Sequence, residues 1–302
     1  MSSMVAQQHH VENRTWTVLS LLNWGSEYLA GREFESPRLN VELLLAETLG
    51  CSRIQLYSNF DKPLEKGEVS TFAQLFQRRL AREPLQYIRG KAEFFSEQYI
   101  VNRDVLIPRP ETEILVERVI ELCQRQYRGV KTVRMLDIGT GCGCIAISIA
   151  RRVENAQVLG FDVSDKAVAV AQRNLALHRL EGRVKFIVLD LFAPLEDAIR
   201  AGVDIVVSNP PYVSKEEFER LMPEIRDFEP RSATCDEGDG FRFHRRIADL
   251  SGSFLKSEGW FFLEVGYNQS ERVREILRGQ GMRNVNTFSD YAGFERVVTA
   301  QR

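Results

Sequence analysis

The stretch Ser208-Asn209-Pro210-Pro211-Tyr212 directly follows the apolar run Val203-Asp204-Ile205-Val206-Val207, and its side chains have a definite chemical use. Two consecutive prolines stop a strand, fix the loop and contribute no N–H that could compete for an acceptor. The Asn209 side-chain oxygen and the Pro210 carbonyl can then both accept hydrogen bonds from one NH₂ group, while the Tyr212 ring offers a flat face for stacking. This arrangement selects a planar, weakly nucleophilic NH₂ whose lone pair is spread into a carbonyl or an aromatic ring. Such a nitrogen must be aimed at a sulfonium methyl. Positioning of that kind supplies on the order of 7 kcal/mol or more without a strong general base. Asn209, Pro210 and Tyr212 are therefore the candidate catalytic residues. A proline-rich turn with a capping Asn would account for the residues singly, but not for their place beside a second group of site residues.

That second group begins at Asp137-Ile138-Gly139-Thr140-Gly141-Cys142-Gly143-Cys144, where the strand Val133–Ile138 should turn into a helix. Glycines at such a turn let the backbone approach a ligand closely. The spacing is G-x-G-x-G, with Cys at position 144, and it lacks the Gly-Lys-Ser/Thr ending of a phosphate-binding loop. Taken alone, it is weak evidence, since it also fits a tight strand-to-helix connection. Asp162 ends the next strand at about the spacing where a ribose would be hydrogen-bonded. Asp190 ends the strand after that, followed by Leu191-Phe192, a placement suited to an adenine amino group with an apolar wall. Either Asp alone could cap a helix or turn. Three such features at successive strand ends predict a cofactor site made of Gly139, Thr140, Gly141, Cys142, Gly143, Asp162, Asp190 and Leu191, because open α/β sheets bind ligands beyond the carboxyl ends of their strands.

The elements that must position these residues are legible in the periodicity. Apolar residues recur at spacings of three and four over Trp16–Leu29, Val41–Leu49 and Val69–Leu80, predicting short helices. Gln86–Leu106 carries aromatic and β-branched residues around polar turns and predicts a hairpin that links two domains. Pro110, Glu111 and Glu113 begin a helix. Strands are expected at 158–161, 184–189, 203–207, 260–265 and 294–299, and helices at 165–178, 241–256 and 269–278. The alternation predicts an α/β domain with a doubly wound, mainly parallel sheet covered by helices on both faces. The expected domains are a helical 1–85, a hairpin linker 86–109 and a sheet domain 110–302.

The chain has 302 residues, with 40 Lys plus Arg against 42 Asp plus Glu. That balance supplies no strong counterion-release drive toward bare nucleic acid. Five scattered cysteines do not read as a disulfide framework, which favours a reducing cytoplasm. The start, Met1 to His10, is polar, and no run reaches the roughly 18 apolar residues of a membrane span. Cys142 and Cys144 lack partners at zinc-ligand spacing, so small residues in a tight turn is the preferred reading and no metal is expected. His178 and His244 fall in predicted helices and receive no catalytic role. Phe94 and Phe95 are assigned to packing, with a place in the substrate pocket as the other possibility.

The chain resembles the release factor glutamine methyltransferases. The resemblance rests on Ile107-Pro108-Arg109-Pro110-Glu111-Thr112-Glu113, on Gly139–Gly143, on Asn209-Pro210-Pro211-Tyr212 and on Leu263-Glu264-Val265-Gly266-Tyr267-Asn268-Gln269. The Asn-Pro-Pro-Tyr motif alone is shared with adenine-N6 nucleic-acid methyltransferases, and the upstream Pro-Arg-Pro-Glu-Thr-Glu run narrows the choice. The resemblance implies a Rossmann-like class I methyltransferase domain. It implies that S-adenosylmethionine donates a methyl group to the glutamine of the Gly-Gly-Gln loop of peptide chain release factors, leaving S-adenosylhomocysteine. Asn209 would stand at the junction of cofactor and substrate, with Pro210, Pro211 and Tyr212 completing the glutamine pocket, and the amino-terminal helices would dock the release factor. A monomer is expected, without stably bound nucleic acid and without a membrane. Cys235-Asp236-Glu237-Gly238-Asp239-Gly240-Phe241 departs from the Gly-Gly-x-Asp-Gly-Leu run of many relatives, which leaves that loop's shape open. The competing functions are an adenine-N6 or guanine-N2 amino methyltransferase acting on RNA or DNA, and a non-catalytic module that binds a translation factor or RNA.

Overall fold

Thr17 and Ser20 cap each other reciprocally, and helix α1 (Val18–Ala30) starts there. In the computed structural model, which describes residues 15–194 and 202–302, four more helices follow. They are α2 (Pro37–Leu49), α3 (Arg53–Ser58), α4 (Lys66–Leu80) and α5 (Leu85–Arg89). Helix α2 begins four residues earlier than its apolar pattern suggests, because Pro37 occupies the first helical turn, where its missing N–H costs nothing. Leu21, Leu22, Leu44, Leu45, Phe72 and Phe76 form the core of this helical part, with Trp24 and Tyr28 packed on Phe76. The chain divides into two compact units, one ending at Gly90 and one running Lys91–Arg302. Gln86–Arg89, expected to open the hairpin, is helical and lies in the first unit.

The second unit opens with the antiparallel hairpin β1 (Lys91–Phe94) and β2 (Glu97–Ile100). Its two turn residues, Phe95 and Ser96, both have positive φ, the geometry of a two-residue hairpin turn. Phe94 is buried against Tyr99, and the Arg152 guanidinium lies over Phe95. Both phenylalanines therefore pack, and neither lines a cavity of the site described below.

After α6 (Thr112–Gln126) come β3 (Val133–Ile138), α7 (Cys144–Arg152), β4 (Ala156–Asp162), α8 (Asp165–His178), β5 (Val184–Val188) and β6 (Val203–Ser208). Three single-turn helices, α9 (Lys215–Phe218), α10 (Pro223–Arg226) and α11 (Arg231–Thr234), precede α12 (Arg242–Asp249) and α13 (Ser251–Phe254). The chain ends with β7 (Leu255–Glu264), α14 (Ser270–Gly279), β8 (Arg283–Ser289) and β9 (Glu295–Gln301). The seven-stranded sheet has the order β5-β4-β3-β6-β7-β9-β8, with the first five strands parallel and β9 antiparallel to both neighbours. Leu136, Ile138, Val206, Phe261 and Leu263 face Ile247, Val273 and Leu277 of α12 and α14. The alternate residues Met135, Ile205, Val207 and Phe262 are buried on the opposite side, as two-sided coverage of a sheet requires. Strand order reverses at β3, which has β4 on one side and β6 on the other, so a crevice opens beyond the carboxyl ends of these strands.

Two further departures from the expected elements concern the end of the chain. The helix expected through Lys256 breaks at Leu250 and ends at Phe254, because Ser251-Gly252-Ser253 propagates a helix poorly and Leu255 already pairs with Val203 of β6. Strand β8 was not expected, since Arg283-Asn284-Val285-Asn286 is a polar, largely exposed edge strand without a two-residue apolar period.

One glycine decides how tightly the β3–α7 turn closes. Gly143 has φ 83°, and a Cβ there would lie 2.8 Å from the Phe186 ring and 3.2 Å from Ala171. Gly143→Ala is expected to destabilise the protein by about 2 kcal/mol or more in denaturant unfolding, combining left-handed strain with overpacking.

Candidate active site

The glycine turn is held by its own backbone. Gly139 N–H and Thr140 N–H both donate to the Phe161 carbonyl at 3.0 Å, and Gly143 N–H donates to the Thr140 carbonyl at 2.8 Å. Gly141 N–H donates to Asp162 Oδ2, and Ser164 N–H to Asp162 Oδ1, each at 3.0 Å. With these N–H groups committed, the turn is not an anion-binding nest of the kind that cradles phosphates. Burial raises the Asp162 carboxyl above its ordinary pKa. Asp137, fully buried, accepts from the Thr140 hydroxyl at 2.6 Å, and burial pushes its pKa up to about 7.

Beside the turn lies a cavity of about 290 Å³, near the lower end of the usual range for ligand pockets of about 300–1,000 Å³. Gly139, Gly141, Asp162, Asp190, Leu191 and Asn209 line it, and so does Pro211, which was expected in the substrate pocket. Thr140, Cys142 and Gly143 do not. Thr140 turns its hydroxyl inward to Asp137, Cys142 is buried with its carbonyl bonded to Asn174, and Gly143 packs on Phe186. Sequence reasoning did not reach Phe243, whose ring meets Phe192 edge-on at 5.3 Å, or Arg242, whose guanidinium lies over Phe192. Two carboxylates at strand ends and an apolar, aromatic wall fit an adenosine bearing a positive charge.

The Asn209–Tyr212 loop starts where β6 ends, and the Ser208 hydroxyl donates to the Ile138 carbonyl at 2.7 Å, tying β6 to β3. Asn209 Nδ2 donates to the Thr112 hydroxyl oxygen at 3.2 Å. Among the described residues no donor is bonded to Asn209 Oδ1 or to the Pro210 carbonyl. The Tyr212 hydroxyl donates to Glu264 Oε1 at 3.4 Å, and the Tyr212 carbonyl accepts from Gln269 Nε2 at 2.8 Å. Burial and the nearby Glu264 raise the Tyr212 pKa.

A second cavity, about 660 Å³, is lined by Arg109, Tyr212, Tyr267, Gln269 and Arg296 among others. It shares Leu106, Asn209, Pro210 and Ala233 with the first. Arg109 is held by Glu229 at 2.6 Å, which pins the Ile107–Glu113 run to the short-helix segment. In the departing loop, buried Asp236 accepts from Gly238 N–H at 2.7 Å and from Arg242 N–H at 3.1 Å. Gln269 spans from that loop's Gly240 carbonyl to Tyr212. The loop thus buttresses the site from behind.

Thr112 and Glu264 were also missed as site residues. Both are buried, and burial pushes the Glu264 carboxyl up to about 7 against the opposing charge of Arg296. The available signal was an acid closing the apolar run Trp260–Leu263. His178 bonds the Gln98 carbonyl and His244 the Glu264 carbonyl, and neither lines either cavity.

Residues 20–90 match the PrmC N-terminal domain, and residues 112–225 match the methyltransferase small domain. The chain is 40% identical over 283 residues to the release factor glutamine methyltransferase of Geobacter sulfurreducens, covering 94% of this chain and 96% of that one. It is 37% identical over 287 residues to the enzyme of the same name from Chlorobaculum tepidum, covering 94% and 97%. Among solved structures, the catalytic domain of human METTL16 in complex with an RNA hairpin superposes with a TM-score of 0.52 over 74% of this chain and 91% of that one. Identity there is 18%, so the likeness speaks for the fold alone, and the methyltransferase character of the domain rests on the match over residues 112–225. No helix among the described residues is long and apolar enough to cross a membrane. With four-tenths identity along nearly its whole length, the chain belongs to the release factor glutamine methyltransferase family.

Proposed function

We propose that this protein methylates the side-chain amide nitrogen of the glutamine in the Gly-Gly-Gln loop of peptide chain release factors, using S-adenosylmethionine and releasing S-adenosylhomocysteine and one amide proton to solvent. The observation that carries this reading is the meeting of two cavities at Asn209 and Pro210. In this reading Asp162 and Asp190 hold the ribose and adenine, with Leu191 and Phe192 as the apolar wall. S-adenosylmethionine supplies an electrophilic methyl group on a sulfonium. Asn209 Oδ1 and the Pro210 carbonyl accept the two N–H bonds of the glutamine amide, and Tyr212 flanks it in the second cavity. A planar amide is a poor nucleophile, so fixing it by both hydrogens supplies orientation rather than basicity.

The helical unit ending at Gly90 is assigned to docking the release factor, a reading supported by its match to the PrmC N-terminal domain. Both cavities are built by one chain, so the reading needs no second copy. The free cysteines suit a cytoplasmic setting, where termination takes place.

Labelled S-adenosylmethionine should mark a purified release factor, and should not mark a copy whose Gly-Gly-Gln glutamine is replaced. Label confined to RNA or a ribosomal protein would overturn the substrate while keeping the fold. Asn209→Ala is expected to lower kcat by about 100-fold or more, as the loss of a preorganised polar contact to the reacting group does, with S-adenosylmethionine affinity by calorimetry largely retained. Wild-type turnover in that variant would remove Asn209 from the mechanism.

A further inference from the structure

The first cavity has two walls that come from distant parts of the chain. One is the glycine turn, where Gly139 and Gly141 face the cavity, and another is Asp104-Val105-Leu106, which leads out of the hairpin. One side chain reaches behind both. Asn174 of α8 is fully buried, 74 residues from Ile100 and 32 from Cys142. Its Oδ1 accepts from the Ile100 N–H at 2.7 Å, and its Nδ2 donates to the Ile100 carbonyl at 3.0 Å and to the Cys142 carbonyl at 2.9 Å.

With Ile100 the amide pairs as a neighbouring strand would, through one N–H and one carbonyl, at the last residue of β2. The remaining N–H of the same NH₂ goes to the turn, so both donors and the oxygen are in use. Turning the amide over would set its oxygen against two carbonyls and its NH₂ against an N–H, so these partners fix one orientation. Ile100 stands shortly before Asp104 in the chain and Cys142 directly after Gly141, so each wall is gripped next to the residues that line the cavity. The far end of the 101–106 segment is held by Glu229, which accepts from the Ile107 N–H at 3.4 Å and from Arg109 at 2.6 Å. We propose that Asn174 is a positioning residue for the cofactor: it sets the spacing between the two walls and thereby the affinity for S-adenosylmethionine. This inference rests on the function proposed above only in its choice of cofactor, whose binding is read without a methyl acceptor.

The turn needs a grip from behind. Gly139 and Gly141 have φ 71° and 54°, with open space where a Cβ would stand, so their own side-chain packing cannot hold them in place. A binding wall is precise only where the groups behind it are themselves fixed, to within about 0.5 Å. The hairpin, by contrast, has ties that do not touch the turn. The buried Tyr99 hydroxyl is hydrogen-bonded to the Ser148 hydroxyl at 2.8 Å, and His178 bonds the Gln98 carbonyl at 3.0 Å. Anchoring the hairpin and setting the cavity are therefore separable by mutation.

The test is calorimetry with S-adenosylmethionine on the full-length protein, with Kd referred to the folded fraction seen by circular dichroism. Asn174→Ala should raise Kd on the order of tenfold, the loss of one buried hydrogen bond at the cavity wall. KM for the cofactor should rise to match, with kcat at saturating S-adenosylmethionine close to wild type. Tyr99→Phe, which frees the hairpin from Ser148 and leaves the Asn174 bonds intact, should lower Tm without moving Kd. A wild-type Kd in folded Asn174→Ala, or an equal rise in both variants, would show that Asn174 only supports the core and would overturn the inference. Should Asn174→Ala not fold, the wild-type protein decides: S-adenosylmethionine should slow hydrogen exchange of the Ile100 amide, and an unchanged rate there would overturn the inference. If wild type binds S-adenosylmethionine but labels no glutamine, the proposed function falls and this inference stands; if it binds none, both fall.

Discussion

The site depends on the parallel pairing of β3 with β6, in which Ile138 stands opposite Ser208. The glycine turn starts one residue after Ile138 and the Asn209 loop one residue after Ser208, so this register alone sets the two side by side. The Ser208 hydroxyl bonded to the Ile138 carbonyl fixes it at the point where it matters. A slip of one residue would turn every side chain of β6 to the other face. The buried aliphatic faces of both strands, with Leu136 and Val206 on one side and Met135 and Ile205 on the other, make such a slip expensive.

Around this frame the protein keeps polar groups where hydrophobic ones would be more stable. Asp137, Glu229 and Glu264 are buried acids whose pKa values rise through desolvation, and each holds a part of the site. Asp137 receives the hydroxyl of the glycine turn, Glu229 anchors Arg109, and Glu264 receives Tyr212. Buried carboxyls of this kind cluster at functional sites because they fix geometry at a cost in stability. The commitment of Asp162 to two backbone N–H groups has the same character, since it shapes the turn while leaving acceptor capacity toward the cavity.

Much of this was legible in the sequence because it is local. The Asp165–His178 helix and the Val133–Ile138 strand match their apolar patterns residue for residue, and Asn-Pro-Pro-Tyr is a contiguous run that stands at a strand end. What was not legible depends on long-range pairing or burial. Strand β8 is polar and exists only because β9 offers it an edge. Thr140 and Cys142 sit inside the glycine turn yet face the core, a distinction that periodicity over five residues cannot make. Thr112 and Glu264 are far apart in the chain, and the bonds that bring Thr112 to Asn209 and Tyr212 to Glu264 are set by the sheet order and by the start of α6.

The most direct test of the account is a crystal structure of the protein with S-adenosylhomocysteine and a peptide carrying the Gly-Gly-Gln loop. The glutamine nitrogen should lie within about 2.7–3.2 Å of both Asn209 Oδ1 and the Pro210 carbonyl, with Asn209 Nδ2 still on Thr112. A glutamine bound in the second cavity with its nitrogen away from these two oxygens, or an Asn209 turned to present its NH₂, would contradict it.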